Sequence, residues 1–334
     1  MNEPVDAPEL QFAIDTVRQV TRLVQQIQAE MVSPALNKDD RSPVTVADFA
    51  AQALVAGRLA EDFPHDPLIA EESASALRSP AERQRLEQIT QYVRRLLPGA
   101  DPESVCDWID RGAADFSPRA WVLDPIDGTK GFLRGGQYAV ALALLVDGQV
   151  QIGALGCPNL RRGCTEDFYG PGSLVVAVRG QGSWVSSLAD HDTHFEALHV
   201  SDCDQPAQAR LLRSYESGHT NVAQIEAMTH HLGIQAEPVL LDSQAKYAIL
   251  AAGGGEASVR LLSSAYPGYR EKIWDQAAGA LIVEEAGGRI TDIFGQPFDF
   301  TTGRLLTGNR GVLATNGRLH QAFLQALRAV GAAA

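Results

Sequence analysis

One twelve-residue stretch constrains this chain more than any other: Trp121-Val-Leu-Asp-Pro-Ile-Asp-Gly-Thr-Lys-Gly-Phe132. Ala120 to Leu123 is apolar and predicts a short strand that stops at Asp124-Pro125. The residue before a proline is pushed out of the helical region, so Asp124 is held extended. Asp127 follows three positions later, and Gly128-Thr129 can open a helix. Two carboxylates and the free N–H groups of a helix start are thereby brought around one small volume. Oxygen ligands suit magnesium, which keeps waters and borrows phosphate oxygens. Free N–H groups at a helix start suit a phosphate. Two such ions about 3.5–4 Å apart stabilise both the attacking and the leaving oxygen of an in-line displacement. Taken alone, an Asp-rich turn of this kind is common and favours no ligand. The rest of the chain decides.

Before this stretch, Leu10, Ile14, Val17, Val24 and Ile27 space out one face of an amphipathic helix over residues 9–31. Pro34 to Pro43 reads as a polar loop, and a second helix is predicted from about Thr45 to Glu61, ahead of Pro64. Leu68-Ile69-Ala70 predicts a short strand leading into Glu71-Glu72, followed by a charge-rich excursion to about residue 118, helical over 81–97. After it, Tyr138 to Val146 and Val150 to Leu155 flank Asp147-Gly148, the strongest short hairpin signal in the chain. A second hairpin is expected over Leu174 to Val178 and Ser183 to Val185. The first half therefore predicts helices on an antiparallel sheet. From about residue 198 strands and helices alternate, which predicts a smaller α/β unit. Two domains are expected, 1–197 and 198–334, as suits a chain of 334 residues.

Lys plus Arg number 28 against 41 Asp plus Glu, a formal charge of -13. Such a balance disfavours nucleic-acid polymers and anionic membranes and suits cation binding. The first ten residues, MNEPVDAPEL, carry neither a basic nor an apolar signal region, and no apolar run approaches a membrane span. A cytoplasmic protein is expected, a monomer or homodimer. Cys106, Cys157, Cys164 and Cys203 form no CxxC pair and read as free thiols. Cys157 and Cys164 flank a turn, and a redox switch there is the weaker alternative.

The Asp-Pro-Ile-Asp-Gly-Thr sequence resembles the signature of the inositol monophosphatase superfamily. Ala70-Glu71-Glu72-Ser73 resembles its upstream GEES metal block, Trp274 to Gly279 its downstream WDxAAG block, and Glu285-Ala-Gly-Gly288 the turn after that. Within the superfamily the chain is most similar to the 3'(2'),5'-bisphosphate nucleotidases. Ser42 to Gln52 resembles their SPVTxxDxxAQ block, Lys130 to Tyr138 their KGFLRGxQY continuation, Asp242 to Tyr247 their DSQxKY block, and Glu216 to His219 their ExxH loop.

The resemblance implies a layered αβαβα sandwich, of mixed α/β (α+β) class, with the site between the two domains. It implies a magnesium-dependent, lithium-sensitive phosphatase holding two or three ions. Glu71, Asp124, Asp127 and the Ile126 carbonyl would be ligands, with Asp275 completing the set from the second domain. Asp48 and Thr129 would polarise the attacking water, Asp48 accepting from the Thr129 hydroxyl. Gly128 and Thr129 would hold the transferred phosphate. His219, Ser243, Lys246, Arg260 and Asp275 would contact a phosphorylated nucleotide, with Lys246 and Arg260 on its second phosphate. Glu72 has a weaker claim than Glu71, being offset by one. The implied reaction takes adenosine 3',5'-bisphosphate to AMP and phosphate, with the sulfated analogue as a further substrate. An inositol phosphate phosphatase, a non-catalytic nucleotide or cation sensor and a polymer exonuclease are the rival readings. Without the resemblance, His219 reads as a loop histidine, Lys246 as a solvated helix charge, and Trp274 and the final helix, Leu319 to Val330, as packing.

Overall fold

The chain's apolar runs sort into two sheets and the helices that cover them, because the longer strand runs are buried on both faces. The structure, a computed structural model, describes residues 7–31, 42–161, 164–167, 170–189, 194–215, 220–262 and 268–333. Two helices come first, α1 (Pro8–Met31) and α2 (Ser42–Asp62), and then the short strand β1 (Leu68–Ala70). The excursion folds as α3 (Arg83–Arg94) and α4 (Pro102–Asp110), both packed on α2. Asp101 caps α4 in a reciprocal capping box with Ser104.

The strand β2 (Arg119–Asp127), the helix α5 (Thr129–Arg134), and the strands β3 (Ala139–Val146) and β4 (Gln149–Cys157) follow. Asp147 and Gly148 join β3 to β4 with φ of 51° and 74°, as a type I′ turn requires. A two-residue pair, β5 (Leu160–Arg161) and β6 (Thr165–Glu166), precedes β7 (Ser173–Val178), β8 (Gly182–Ser187) and β9 (Glu196–Ala197). The first sheet runs β1-β2-β3-β4-β7-β8-β9. It is antiparallel except at one edge, where β1 lies parallel to β2. That pairing departs from the antiparallel expectation, and the helical excursion between the two strands supplies the long crossover it needs.

The remaining strands are β10 (Leu211–Arg213), β11 (Val239–Leu240), β12 (Ala257–Arg260), β13 (Arg289–Thr291) and β14 (Val312–Thr315). They form a second sheet ordered β11-β10-β12-β14-β13, parallel at β10 with β11 and β12, and antiparallel elsewhere. Its helices are α6 (Val222–His231), α7 (Ala245–Ala251), α8 (Ala277–Glu285) and α9 (His320–Ala329). The packing gives five layers: α1 and α2, the first sheet, α7 and α8, the second sheet, then α6 and α9. This is the αβαβα sandwich. The central layer sits close to its sheet: a Cβ at Gly153 on β4 would lie 2.7 Å from the Ala278 carbonyl of α8. No helix among the described residues is long and apolar enough to cross a membrane.

The outer layer is pinned by His320, 1% exposed. Its ring nitrogens meet the hydroxyls of Thr291 and Thr315, each at 3.0 Å, on the two strands below. Burial, with Arg289 nearby, lowers its pKa from 6.5 to about 4. The folded chain therefore resists a proton that the unfolded chain accepts, and stability from this residue is present above pH 6.5 and declines as pH falls toward 4. That gap corresponds to roughly 3 kcal/mol. In denaturant titrations, the stability difference between wild type and His320→Gln is expected to shrink by an amount of that order between pH 7.5 and pH 4.5. Parallel pH profiles for the two proteins would contradict the assignment.

Candidate active site

The strand β2 carries both aspartates of the DxxDG stretch and turns them the same way. On a regular strand, residues three apart face opposite sides. Here Asp124 pairs with Ala141 and Asp127 with Ala139, so three residues of β2 are matched by two of β3. The extra residue is a bulge at Pro125-Ile126, which cancels the mismatch and brings the two carboxylates to one space. Proline is tolerated at a bulge because the ladder is already interrupted there. The strand thus runs through Asp124-Pro125 to Asp127 rather than stopping at Asp124. The Ile126 side chain enters the core, 1% exposed.

Gly128 follows in the left-handed region at φ 91° and caps α5. A Cβ there would stand 2.9 Å from that of Ser243, so glycine lets the segment before α7 close over the turn. Ser243 itself holds φ 67°, and its hydroxyl accepts from the Ala245 N–H at 3.2 Å. The next residue, Gln244, does what the sequence did not announce. Its backbone N–H donates to Asp127 Oδ2 at 2.6 Å. Its side-chain amide donates to the Trp274 carbonyl at 3.0 Å and accepts from the Gly279 N–H at 3.0 Å. Asp127, on the first sheet, is thereby tied to the segment that bears Asp275.

On the other side, β1 places Ala70 opposite Leu123, which brings Glu71 level with Asp124. Glu71 stands at the exposed rim. Glu72 is held by Gln52 of α2, whose amide exchanges bonds of 2.9 and 2.8 Å with the Glu72 backbone. Asp48, also on α2, is buried at 7% exposure.

These carboxyl groups raise one another. Asp124 lies well above the ordinary range through burial, then through Asp127, Glu71, Asp275 and Asp48. Asp275 is raised by burial and then Asp127, against the pull of Arg260. Asp48 is raised by burial, Glu72 and Glu71. Asp127 is raised by burial, with Lys246 and the Gln244 N–H pulling back. Glu71, although at the rim, is raised by the loss of water in its crowded surroundings and by Asp127, with Lys272 and Arg304 opposing. Glu72 is pushed up to about 7 by burial and Glu71. Its effect on Asp48 exceeds that of Glu71, so Glu72 belongs to the cluster despite its offset in the sequence block.

One oxygen of Asp124, Oδ1, is buried with no hydrogen-bond partner. An unpartnered buried carboxylate oxygen, within a set of carboxylates that oppose each other's charge, is donor chemistry that fits a hard divalent cation. Among the described residues no three His, Cys, Asp or Glu side chains form a ready-made cage. Magnesium characteristically takes one or two carboxylates and completes its shell with water and substrate phosphate.

A cavity of about 620 Å³ opens beside the cluster, and Asp127, Gly128, Thr129, Ser243, Lys246, Arg260 and Asp275 all line it. Lys246 Nζ lies 3.3 Å from the Ser214 hydroxyl, and burial lowers its pKa against the pull of Asp127. Arg260 bonds the Tyr269 hydroxyl at 2.9 Å and the buried Glu271 carboxylate at 3.1 Å. Glu271 also accepts from Gln276 at 3.1 Å, and Gln276 accepts from Tyr247 at 2.7 Å. Asp48 and Thr129 share no hydrogen bond among the described residues, and the charges that act most on Asp48 are those of Glu72 and Glu71. His219 lies outside the described residues. Trp274 is a core residue, 4% exposed. Cys157 and Cys164 are free and buried, their thiols pushed up by burial, Cys164 to about 12, which makes them poor nucleophiles.

Both the layered fold and the carboxylate cluster beside a cation-lined cavity describe a phosphatase of one superfamily. The profile of the inositol monophosphatase family matches residues 5–332, and the chain belongs to that family. It is 42% identical to a 3'(2'),5'-bisphosphate nucleotidase of Emericella nidulans, over 94% of this chain and 96% of that one. It is 38% identical to a 3'(2'),5'-bisphosphate nucleotidase of Schizosaccharomyces pombe, over 96% of this chain and 95% of that one. The solved structure of Mycobacterium tuberculosis SuhB shares the fold at a TM-score of 0.64 with 22% identity, covering 100% of both chains.

Proposed function

We propose that this protein hydrolyses the 3'-phosphate of adenosine 3',5'-bisphosphate to AMP and phosphate, with two or three magnesium ions, and acts also on the 5'-phosphosulfate analogue. One observation carries the reading: Lys246 and Arg260 line the same cavity as Asp127 and Thr129. A monophosphate needs only the acidic end and its metal; a second pair of cations suits a second phosphate. The nucleotidase relatives, similar along nearly the whole chain, support the same substrate class.

In this reading Glu71, Asp124, Asp127, Asp275 and the Ile126 carbonyl hold the metal. Bound magnesium supplies the Lewis acidity that lowers the pKa of water and neutralises charge on the phosphoryl group. Asp48 and Thr129 polarise the attacking water, whose proton passes to Asp48 as its oxygen bonds to phosphorus; the P–O3' bond breaks directly, with no phosphoenzyme, and the 3'-oxygen leaves as a hydroxyl with a proton drawn from solvent. Gly128 and Thr129 offer backbone N–H groups to the transferred phosphoryl oxygens. Ser243 and His219 contact the nucleotide. The boundary near residue 197 belongs to the same proposal: the first sheet's strands end at Ala197 and the second sheet's begin at Leu211.

An inositol phosphate is the second candidate, and the cavity wall argues against it. Leu212, Val222, Ile225, Val259 and Val312 line it. An inositol ring presents hydroxyls around its whole edge and loses their hydration against such a wall, whereas a base has apolar faces. Phosphate release from adenosine 3',5'-bisphosphate, its phosphosulfate analogue, inositol 1-phosphate and inositol 1,4-bisphosphate tests the reading. The nucleotides are expected to lead in kcat/KM by at least about tenfold, the equivalent of one charge-assisted contact. An inositol phosphate in first place would reverse the assignment.

A further inference from the structure

We propose that Arg304 is a positioning residue for the carboxylate cluster, fixing Glu71 on the first sheet relative to Asp275 beyond it. The inference rests on the metal-binding reading above. Its basis is that one residue grips the chain immediately before each of these two carboxylates.

The guanidinium donates to the carbonyl of Ala70, the residue before Glu71. It donates also to the carbonyls of Gly112 and Ala114, at 3.0 and 3.2 Å, on the segment that flanks β1. Its central carbon, Cζ, sits over the ring of Trp274, the residue before Asp275, 4.7 Å from the ring centre. The Arg304 backbone works on the same side: its carbonyl accepts from the Ile273 N–H at 3.1 Å. Leu306 N–H, two residues on, donates to the Glu271 carbonyl at 2.9 Å, and Leu305 bridges Lys272. The 304–306 segment is thus paired to the approach to Asp275 while its arginine reaches across to the approach to Glu71.

Glu71 needs such support. It follows a strand of three residues that pairs with β2 on one side and, on the other, only with the 112–114 segment, through the Ile69–Ala113 bridge and the Ala70 N–H to Gly112 carbonyl bond of 2.9 Å. Three residues is the short end of strand lengths, so few ladder bonds hold the residue that follows. Neighbouring carboxylates also push against Glu71, and Arg304 is one of two cations that oppose the repulsion. Lysine cannot take this place, because a single ammonium lacks the planar fork that meets three carbonyls and stacks on an indole.

The test is calorimetric titration of Mg²⁺ alone into the EDTA-dialysed full chain, for wild type, Arg304→Lys and Arg304→Ala, with thermal unfolding recorded for each in EDTA. Positions behind metal ligands typically cost about ten- to a hundredfold in metal affinity. Arg304→Lys is expected to weaken Mg²⁺ binding by about that factor and to stay folded, with kcat recovering as Mg²⁺ is raised. Arg304→Ala is expected to weaken binding at least as far; should it fail to fold, the lysine variant carries the test. Unchanged Mg²⁺ affinity in a folded variant, whatever its melting temperature, would overturn the inference and leave the metal reading standing. Absence of Mg²⁺ uptake by wild type would overturn the metal reading and this inference with it.

Discussion

Asp127→Asn is expected to lower kcat/KM for the bisphosphate by more than about a hundredfold, beyond what positions behind metal ligands cost, while the protein stays folded. Asparagine keeps the size of the side chain and one oxygen, so the 2.6 Å bond from the Gln244 N–H can persist. What it removes is a charge. In the metal-free protein that charge is unfavourable, because burial raises the Asp127 pKa above its unfolded value of 3.8. The sign follows from linkage: the destabilisation is absent well below pH 3.8, grows as pH rises through that value, and is complete above the folded pKa. At neutral pH in EDTA the variant is therefore expected to melt at or above the wild-type temperature, and magnesium is expected to raise its melting temperature less. Steady-state kinetics and thermal unfolding on the same preparation check both halves. Retention of most activity would remove Asp127 from the ligand set.

Lys246→Ala is expected to separate recognition from chemistry. A charge-assisted contact to a phosphate is worth roughly 1.5–3 kcal/mol, so kcat/KM for adenosine 3',5'-bisphosphate should fall by about ten- to a hundredfold. A generic monophosphate lacks the second phosphate and should lose much less. Lys246 lies far from Asp127 in sequence but not in space. Asp127 is the first of the charges that pull its pKa upward, with Asp242 and Asp275 behind it. A modest fall with the monophosphate is thus part of the expectation, and the comparison between substrates is the measurement. An equal fall for both would make Lys246 a support of the metal site and take away a main argument for a nucleotide.

How much of this could be read in the sequence depends on whether a residue's role is local. Asp124, Asp127 and Gly128 were legible because their chemistry and spacing lie in one stretch. The bulge that turns both aspartates to one side was not, because proline reads as a stop and only pairing with Ala141 and Ala139 shows the extra residue. The Asp147-Gly148 hairpin was legible from the turn itself, whereas the parallel pairing of β1 with β2 is a long-range choice made by the crossover. Gln52 and Gln244 stood inside recognisable blocks without a visible task. An amide's role is set by the backbone groups it meets, here those of Glu72, Trp274 and Gly279. Arg304 sits in a Thr- and Gly-rich loop that gives no sign of its three carbonyls. Glu72 looked misplaced by one, yet its charge acts on Asp48 more than that of Glu71.

In the proposed reaction the metal end of the cavity takes the 3'-phosphate and the Lys246 and Arg260 end keeps the 5'-phosphate. Phosphorus NMR of the products from adenosine 3',5'-bisphosphate, with magnesium and with EDTA, distinguishes the two ends. Inorganic phosphate and AMP are expected with magnesium, and intact substrate with EDTA. Accumulation of adenosine 3'-phosphate, or equal turnover in EDTA, would contradict the proposed reaction.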